Sequence, residues 1–272
     1  GLSADGRTAI IGGMADNSSQ GGAWIFTGDG LGNWTQEGNK LVGTGAVGAA
    51  RQGVSVAISA DGNTAIVGGN YDNGSQGAAW VYTRSGNTWS QQGNKLVGSG
   101  ASGTFIYQGQ SVSISADGNT VVIGGPSDNN AQGASWVFTR SGNAWTQQGT
   151  KLVGSGSIGP LVGQGSGIAL SADGRTMMLG GYYDDNNLGA AWAFTHLPVQ
   201  TTPSISSFSP SSGVVGSLVT VSGTDLNNPT SLLIGGVPAI VISNTGSSLV
   251  AMVMPGATTG GVSITTAGGS SN

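Results

Sequence analysis

Cysteine is absent from this sequence, histidine occurs once, at His196, and glutamate once, at Glu37. Without cysteine there is neither a disulfide nor thiol chemistry, although this alone does not fix the compartment. Charged residues make up only 7% of the chain, and its 8 basic residues are scattered singly against 12 acidic ones. A net charge of −4 with no basic track offers nothing to a phosphate backbone, so nucleic acid is not an expected partner. No apolar run approaches the roughly 20 residues of a membrane helix, so no membrane span is expected. Apolar residues never recur at a helical period, and Gly and β-branched residues crowd every window, which leaves helix little room.

What the sequence does contain is a block of 56 residues written four times. Ser-Ala-Asp-Gly begins at Ser3, Ser59, Ser115 and Ser171, and Asp16, Asp72, Asp128 and Asp184 keep the same step. So do Trp24, Trp80, Trp136 and Trp192, and so do Phe26, Tyr82, Phe138 and Phe194. A period of this size marks propellers, solenoids or arrays, in which stacked repeats supply a core that one repeat cannot build alone. Within a unit, Gln52–Ser59 alternates as a half-buried strand, Asp61-Gly62 gives a tight turn, and Thr64–Val67 returns. Gly77–Thr83 and Trp89–Val97 follow as third and fourth strands. Four antiparallel strands per unit predict an all-β chain with β-propeller blades at about 1–52, 53–108, 109–164 and 165–196.

The series Gln-Gly-x-Ser-Val-Ala, Asp-Gly, Gly-Gly (Gly124-Gly125-Pro126) and Gly-x-x-Trp-Val-Phe resembles the FG-GAP repeat, which builds the propeller of integrin α chains and of many bacterial surface proteins. The resemblance covers residues 1–196. Calcium-binding members carry an Asp-x-Asp-x-Asp-Gly run where this chain has Ser-Ala-Asp-Gly followed by Asn or Arg, and one carboxylate does not supply the six to eight or so oxygens calcium takes. Two prolines, Pro198 and Pro203, bracket a linker at 197–203. Beyond it, Ser209-Pro210-Ser-Ser-Gly213 and a series of short strands at sandwich spacing resemble the IPT/TIG immunoglobulin-like domain over 204–272. In that family a last strand follows the Gly-Gly found here at Gly268-Gly269, so the domain is expected to lack it. Residues Gly1-Leu2-Ser3 begin inside a repeat and unit four has no counterpart of Trp89–Val97. The expectation is a portion of a longer polypeptide, or a copy whose missing strands come from a neighbour.

Candidate sites lie in the polar loops before the third strand. Asp16 and Asn17, Asp72 and Asn73, Asp128 and Asn129, and Asp184 and Asp185 open them. Either each Asp caps its turn through backbone N–H groups, or the repeated acids and amides form a ring that binds a glycan, a peptide or a cation. Asp184, Asp185 and Asn187 form the set richest in oxygen, where calcium is the candidate ion; no cofactor is required. The Trp24, Trp80, Trp136 and Trp192 set, with Phe26, Tyr82, Phe138 and Phe194, is expected to fill the space between blades. Trp34, Trp89 and Trp145 follow turns and are candidates for stacking on carbohydrate. His196 reads as a linker residue, and no Ser or Asp motif accompanies it. The whole predicts a non-enzymatic adhesion or binding module of the bacterial cell surface or secreted space, with a protein, a glycan or further copies of itself as partner. The alternative is a structural subunit of an extracellular filament or sheath.

Overall fold

The computed structural model describes residues 1–195, 202–226, 229–266 and 269–272. His196 and linker residues 197–201 lie outside the described residues, as does Gly268. Contacts divide the chain into two compact units, the repeats and the C-terminal segment.

In the repeats, tight turns alternate with short β-branched runs, so each 56-residue block folds into one small antiparallel sheet. Blade 1 contains β1 (Thr8–Gly12), β2 (Ala23–Gly28) and β3 (Trp34–Leu41). Blade 2 contains β4 (Ser55–Ile58), β5 (Thr64–Gly69), β6 (Ala78–Ser85) and β7 (Thr88–Gln91). Blade 3 repeats this with β8 (Ser111–Ile114), β9 (Thr120–Gly125), β10 (Ala134–Ser141) and β11 (Ala144–Gln147). Blade 4 contains β12 (Gly167–Leu170), β13 (Met177–Gly181) and β14 (Ala190–Phe194). Strands pair in chain order within each blade, and β4, β8 and β12 lie side by side as the inner strands. The fourth strand is shorter than its sequence pattern suggests: regular pairing stops at Gln91, and Leu96 rejoins the sheet opposite Ala79.

The period-2 alternation of each strand gives every blade two apolar faces, and the faces turned towards an adjacent blade pack on it. Ala65, Val67, Trp80 and Tyr82 of blade 2 pack on Ile10, Ala23, Ile25 and Leu41 of blade 1. Its opposite face, Ile66, Ala79 and Val81, packs on Val121, Ile123, Trp136 and Phe138 of blade 3. Val122 and Val137 in turn pack on Met177 and Leu179, with Trp192 and Phe194 alongside. Of the eight aromatic residues expected between blades, Trp80, Trp136, Tyr82 and Phe138 are buried, and burial raises the Tyr82 phenol pKa above its ordinary value. Trp24, Phe26, Trp192 and Phe194 are only half-buried, a correction to the uniform core. Trp24 and Phe26 share the face of Ile11, on which no blade packs among the described residues, and β14 has no outer strand there to cover the edges of Trp192 and Phe194.

Polar residues that recur in every unit hold the blades together. The Ser-Ala-Asp-Gly hairpins form a ladder: Ala4 N donates to Ala60 O (2.9 Å), Ala60 N to Ala116 O (3.0 Å) and Ala116 N to Ala172 O (2.9 Å). Inside each hairpin the Ser hydroxyl donates to the Asp carboxylate, as in Ser3 Oγ to Asp5 Oδ1 (2.6 Å) and Ser171 Oγ to Asp173 Oδ1 (2.5 Å). That side-chain bond, followed by a backbone bond from two residues on, lowers the pKa of both Asp5 and Asp173. Because the folded value lies below the unfolded one, near 3.9, the stabilisation is present above that pH and is lost as pH falls through the folded value. In an NMR titration Asp5 and Asp173 are expected to titrate below the ordinary carboxylate range, with Ser3→Ala and Ser171→Ala returning each towards it. Unchanged midpoints in these variants would exclude the hydroxyl as the cause.

The C-terminal unit is a sandwich of two four-stranded sheets, with strands β15 (Ser204–Ser209), β16 (Leu218–Thr224), β17 (Ser231–Ile234), β18 (Val237–Pro238), β19 (Ile240–Asn244), β20 (Ser248–Met252), β21 (Val262–Thr266) and β22 (Gly269–Ser271). One sheet runs β15-β16-β20-β19 and the other β18-β17-β21-β22. Val219, Val221, Leu232, Leu249, Ala251 and Ile264 fill the space between them, as aligned sheet packing requires. The expectation that no last strand follows β21 is corrected, since Gly269–Ser271 pairs antiparallel with it.

Candidate functional site

The loops before each third strand are single tight turns in which three successive residues take positive φ: Asn17 to Ser19, Asn73 to Ser75, Asn129 to Ala131 and Asp185 to Asn187. Asn, Asp and Gly tolerate that conformation best, which explains the Asx residue that opens each run. In the last three units the aspartate that opens the turn points inward. Asp72 and Asp128 are 0% exposed and Asp184 is 5% exposed. Asp72 Oδ1 accepts from Val47 N, Asp128 Oδ1 from Ser102 N and Asp184 Oδ1 from Ile158 N, each at 2.7 Å. Asp72 Oδ2 pairs with Lys95 at 2.5 Å, Asp128 Oδ2 with Lys151, and the more exposed Asp16 with Lys40. Each buried acid thus ties the crossover from the preceding blade to its own turn, and the structure does not bring these carboxylates together into a ring.

Asp184, Asp185 and Asn187 occupy one such turn, where Asp184 is engaged by Ile158 and Asp185 and Asn187 hold φ of 46° and 73°. Among the described residues no three acidic or imidazole side chains converge on a point where a metal ion would sit. Glu37, the one glutamate, is paired with Arg84 at 3.0 Å. Trp34 is exposed, whereas Trp89 and Trp145 pack against the blade interfaces and Trp145 Nε1 donates to Gln92 Oε1 at 3.0 Å.

The same loops build a cleft that the repeat pattern conceals. The crossover between blades ends in a buried glutamine whose amide bonds both ways with a glycine: Gln108 Oε1 accepts from Gly98 N (2.5 Å) and Nε2 donates to Gly98 O (3.0 Å), a pattern shared by Gln52 and Gln164. This fixes the residue before it, Arg51, Tyr107 or Gly163, at a φ of 55°, 59° or 72°. Tyr107 is held over the rim beside Tyr71, with ring centroids 5.4 Å apart, and Phe105 lies 6.4 Å from Tyr107. The Arg51 guanidinium sits 3.8 Å from the centroid of Tyr71. Tyr182 and Tyr183, 4.0 Å apart, stand on the corresponding turn of blade 4. A hydrogen bond to Tyr183, with burial second, pushes the Tyr182 hydroxyl up to about 12.

Between these turns of blades 2, 3 and 4 lies a cleft of about 320 Å³ lined by Asn70, Tyr71, Tyr107, Gln110, Ser127, Tyr182 and Tyr183, among others. Asn70 is 5% exposed; its Nδ2 donates to Gln110 Oε1 at 2.5 Å, and its Oδ1 has no hydrogen-bond partner among the described residues. Of these residues only Tyr183, at the head of the loop Tyr183–Asn187, lies in a candidate loop marked by the sequence patterns. The available signal was the reverse of repetition. Positions 70, 126 and 182 read Asn, Pro and Tyr, positions 71, 127 and 183 read Tyr, Ser and Tyr, and positions 51, 107 and 163 read Arg, Tyr and Gly. Their immediate neighbours Asp72, Asp128 and Asp184, and Gln52, Gln108 and Gln164, do not vary.

The IPT/TIG domain family matches residues 203–272, which identifies the C-terminal sandwich. No curated protein matches the chain. Among solved structures it is similar to hydrazine synthase of Kuenenia stuttgartiensis, at 13% identity and a TM-score of 0.43, over 97% of this chain and 64% of that one. It is also similar to a fungal alcohol oxidase in complex with copper, at 15% identity and a TM-score of 0.37, over 92% and 58%. A xyloglucanase of Xanthomonas campestris matches at 13% identity, with a TM-score of 0.42, over 71% and 27%. The chain therefore spans less than two-thirds of each of these structures. All three are enzymes, which corrects the expectation that this chain is not one: proteins similar to it include catalysts, so that expectation does not stand. At these identities the likeness concerns fold and assigns no activity to this chain.

Proposed function

We propose that the repeats are of the FG-GAP type and that the chain is a surface or secreted binding module of bacterial origin, which engages a protein or glycan through the loop face of its blades. The observation that carries this reading is the cleft over blades 2, 3 and 4. Its walls come from the positions that differ between near-identical repeats, whereas the positions that hold the blades together recur in each. A scaffold needs no such variation, and binding residues concentrate on loops placed by a rigid frame. Tyr107 adds to this, because a bulky residue at positive φ is strained and such residues gather at functional sites. The C-terminal IPT/TIG domain and the low charge are in keeping with a module of this kind.

Hydrogen exchange of the intact chain, in the presence of partners drawn from arrays of extracellular glycans and surface-protein peptides, tests the reading. Protection is expected at the turns of residues 70–72, 126–127 and 182–183 and at the crossover of residues 105–110. A bound partner that protects only other surfaces would exclude the cleft as the binding site.

A further inference from the structure

We infer that the ligand of the cleft is a neutral carbohydrate, an inference that rests on the binding reading above and adds the chemical class. The cleft combines rings with uncharged hydrogen-bonding groups. Tyr71, Tyr107 and Tyr183 come from three different loops, and between them lie the amides of Asn70 and Gln110 and the hydroxyl of Ser127. A pyranose offers a matching surface: a face of polarised C–H groups that lies on the electron-rich face of an aromatic ring, and an edge of hydroxyls that both donate and accept. No acidic or basic side chain lines the cleft. The aspartates nearest in sequence to its walls, Asp72, Asp128 and Asp184, are buried and already engaged by backbone N–H groups. Arg51 is stacked on the ring of Tyr71 and is not itself part of the lining, so a charged ligand would find no counter-ion in the walls and would lose much of its hydration without compensation.

Two further observations point to a ligand. The Asn70 amide is almost fully buried in the cleft wall with its carbonyl oxygen unpartnered among the described residues, while its Nδ2 is held by Gln110. Buried acceptors are normally satisfied; this oxygen is closed to solvent, so a sugar hydroxyl would supply its missing donor only once the amide turns towards the cleft. Tyr107 stands at a φ of 59° where the sibling crossover of the next repeat has Gly163. The backbone there favours glycine, so the phenol ring is retained against local strain and its value lies in what it presents to the cleft.

The repeats supply substitutions that a blade is known to accommodate. Tyr107→Gly copies Gly163 and Tyr183→Ser copies Ser127, each from the equivalent position of a sibling unit. The intact chain would be titrated by calorimetry and by saturation-transfer NMR with neutral hexasaccharides of glucose, mannose, galactose, xylose and N-acetylglucosamine. Heparin and polygalacturonate fragments and a set of uncharged peptides would serve as comparisons. At least one neutral hexasaccharide is expected to bind. Each ring substitution should weaken it by about tenfold, the scale of one lost aromatic contact, without lowering the melting temperature. Leu31→Ala, at an exposed leucine outside the cleft, should leave binding unchanged. Absence of binding by every neutral hexasaccharide at millimolar concentration would overturn the inference, as would binding that survives the Tyr107→Gly/Tyr183→Ser double variant. Binding of an anionic fragment or a peptide that the double variant abolishes would overturn the carbohydrate class and leave the binding module standing. If nothing in any set bound the cleft, both would fall.

Discussion

Trp136→Ala is expected to destabilise the repeats by about 3–5 kcal/mol, the cost of truncating a large core aromatic. The indole is 0% exposed, packs on Ile66, Ala79 and Val81 of the preceding blade, and donates from Nε1 to Ser99 O at 2.7 Å. Truncation opens a cavity between two blades and removes the donor of a carbonyl on the crossover. The crossover has grown around the ring: a Cβ placed on Gly98 would lie 2.2 Å from Trp136 Cγ, so Gly98→Ala has to displace either the backbone or the indole. It should destabilise by about 1–3 kcal/mol through overpacking. Trp192 makes the same bond, to Ser155 O at 2.8 Å, but is only half-buried, so Trp192→Ala should cost clearly less. Urea unfolding followed by far-UV circular dichroism measures all three. Equal losses at Trp136 and Trp192 would contradict the packing described.

The second large effect is expected at Asp128. Its carboxylate is fully buried, with one oxygen on Ser102 N and the other on Lys151. Asp128→Ala strands both partners. Breaking a buried pair costs about 3–5 kcal/mol. The Lys151 side chain is 22% exposed and can turn to water, which brings the expected loss to about 2–4 kcal/mol. Asp128→Asn keeps an acceptor for Ser102 N and gives up only the charge, so it should fall between the alanine variant and the parent. Asp16→Ala is a control within the same chain. Asp16 and Lys40 have side chains 36% and 31% exposed, and their loss should change stability by no more than about 1 kcal/mol. If Asp16→Ala and Asp128→Ala unfold at the same urea concentration, the buried staple contributes no more than a surface pair.

How far each feature was legible in the sequence follows from what repetition records. Ser-Ala-Asp-Gly, Gln-Gly, the opening Asp and the Trp recur because each makes a bond or contact at every blade junction: the alanine ladder from Ala4 to Ala172, the Gln108 amide on Gly98, Asp128 on Ser102, Trp136 on Ser99. A residue needed at every junction appears at every period, so the four repeated sheets, their strand order and the buried half of the aromatic set, Trp80, Tyr82, Trp136 and Phe138, were readable. The acids at Asp72, Asp128 and Asp184 were equally visible, but the same signal fitted a ligand ring and a turn staple, and only burial and partners separate the two.

The cleft followed the opposite rule. Tyr71, Tyr107 and Tyr183 lie 36 and 76 positions apart in the chain, and Tyr107 stands at a different phase of the repeat from the other two, so no local window joins them. They come together because successive blades lie side by side, with β4, β8 and β12 adjacent, which sets crossovers and turns from three units around one opening. The sequence by itself determined the repeated sheets, their blade-to-blade faces and the C-terminal sandwich, since strand alternation and turn chemistry are local and act again in each unit. Only the tertiary structure decided which polar groups turn inward to bind backbone and which rings share a cleft, because those outcomes depend on groups far apart in the chain meeting across blade junctions.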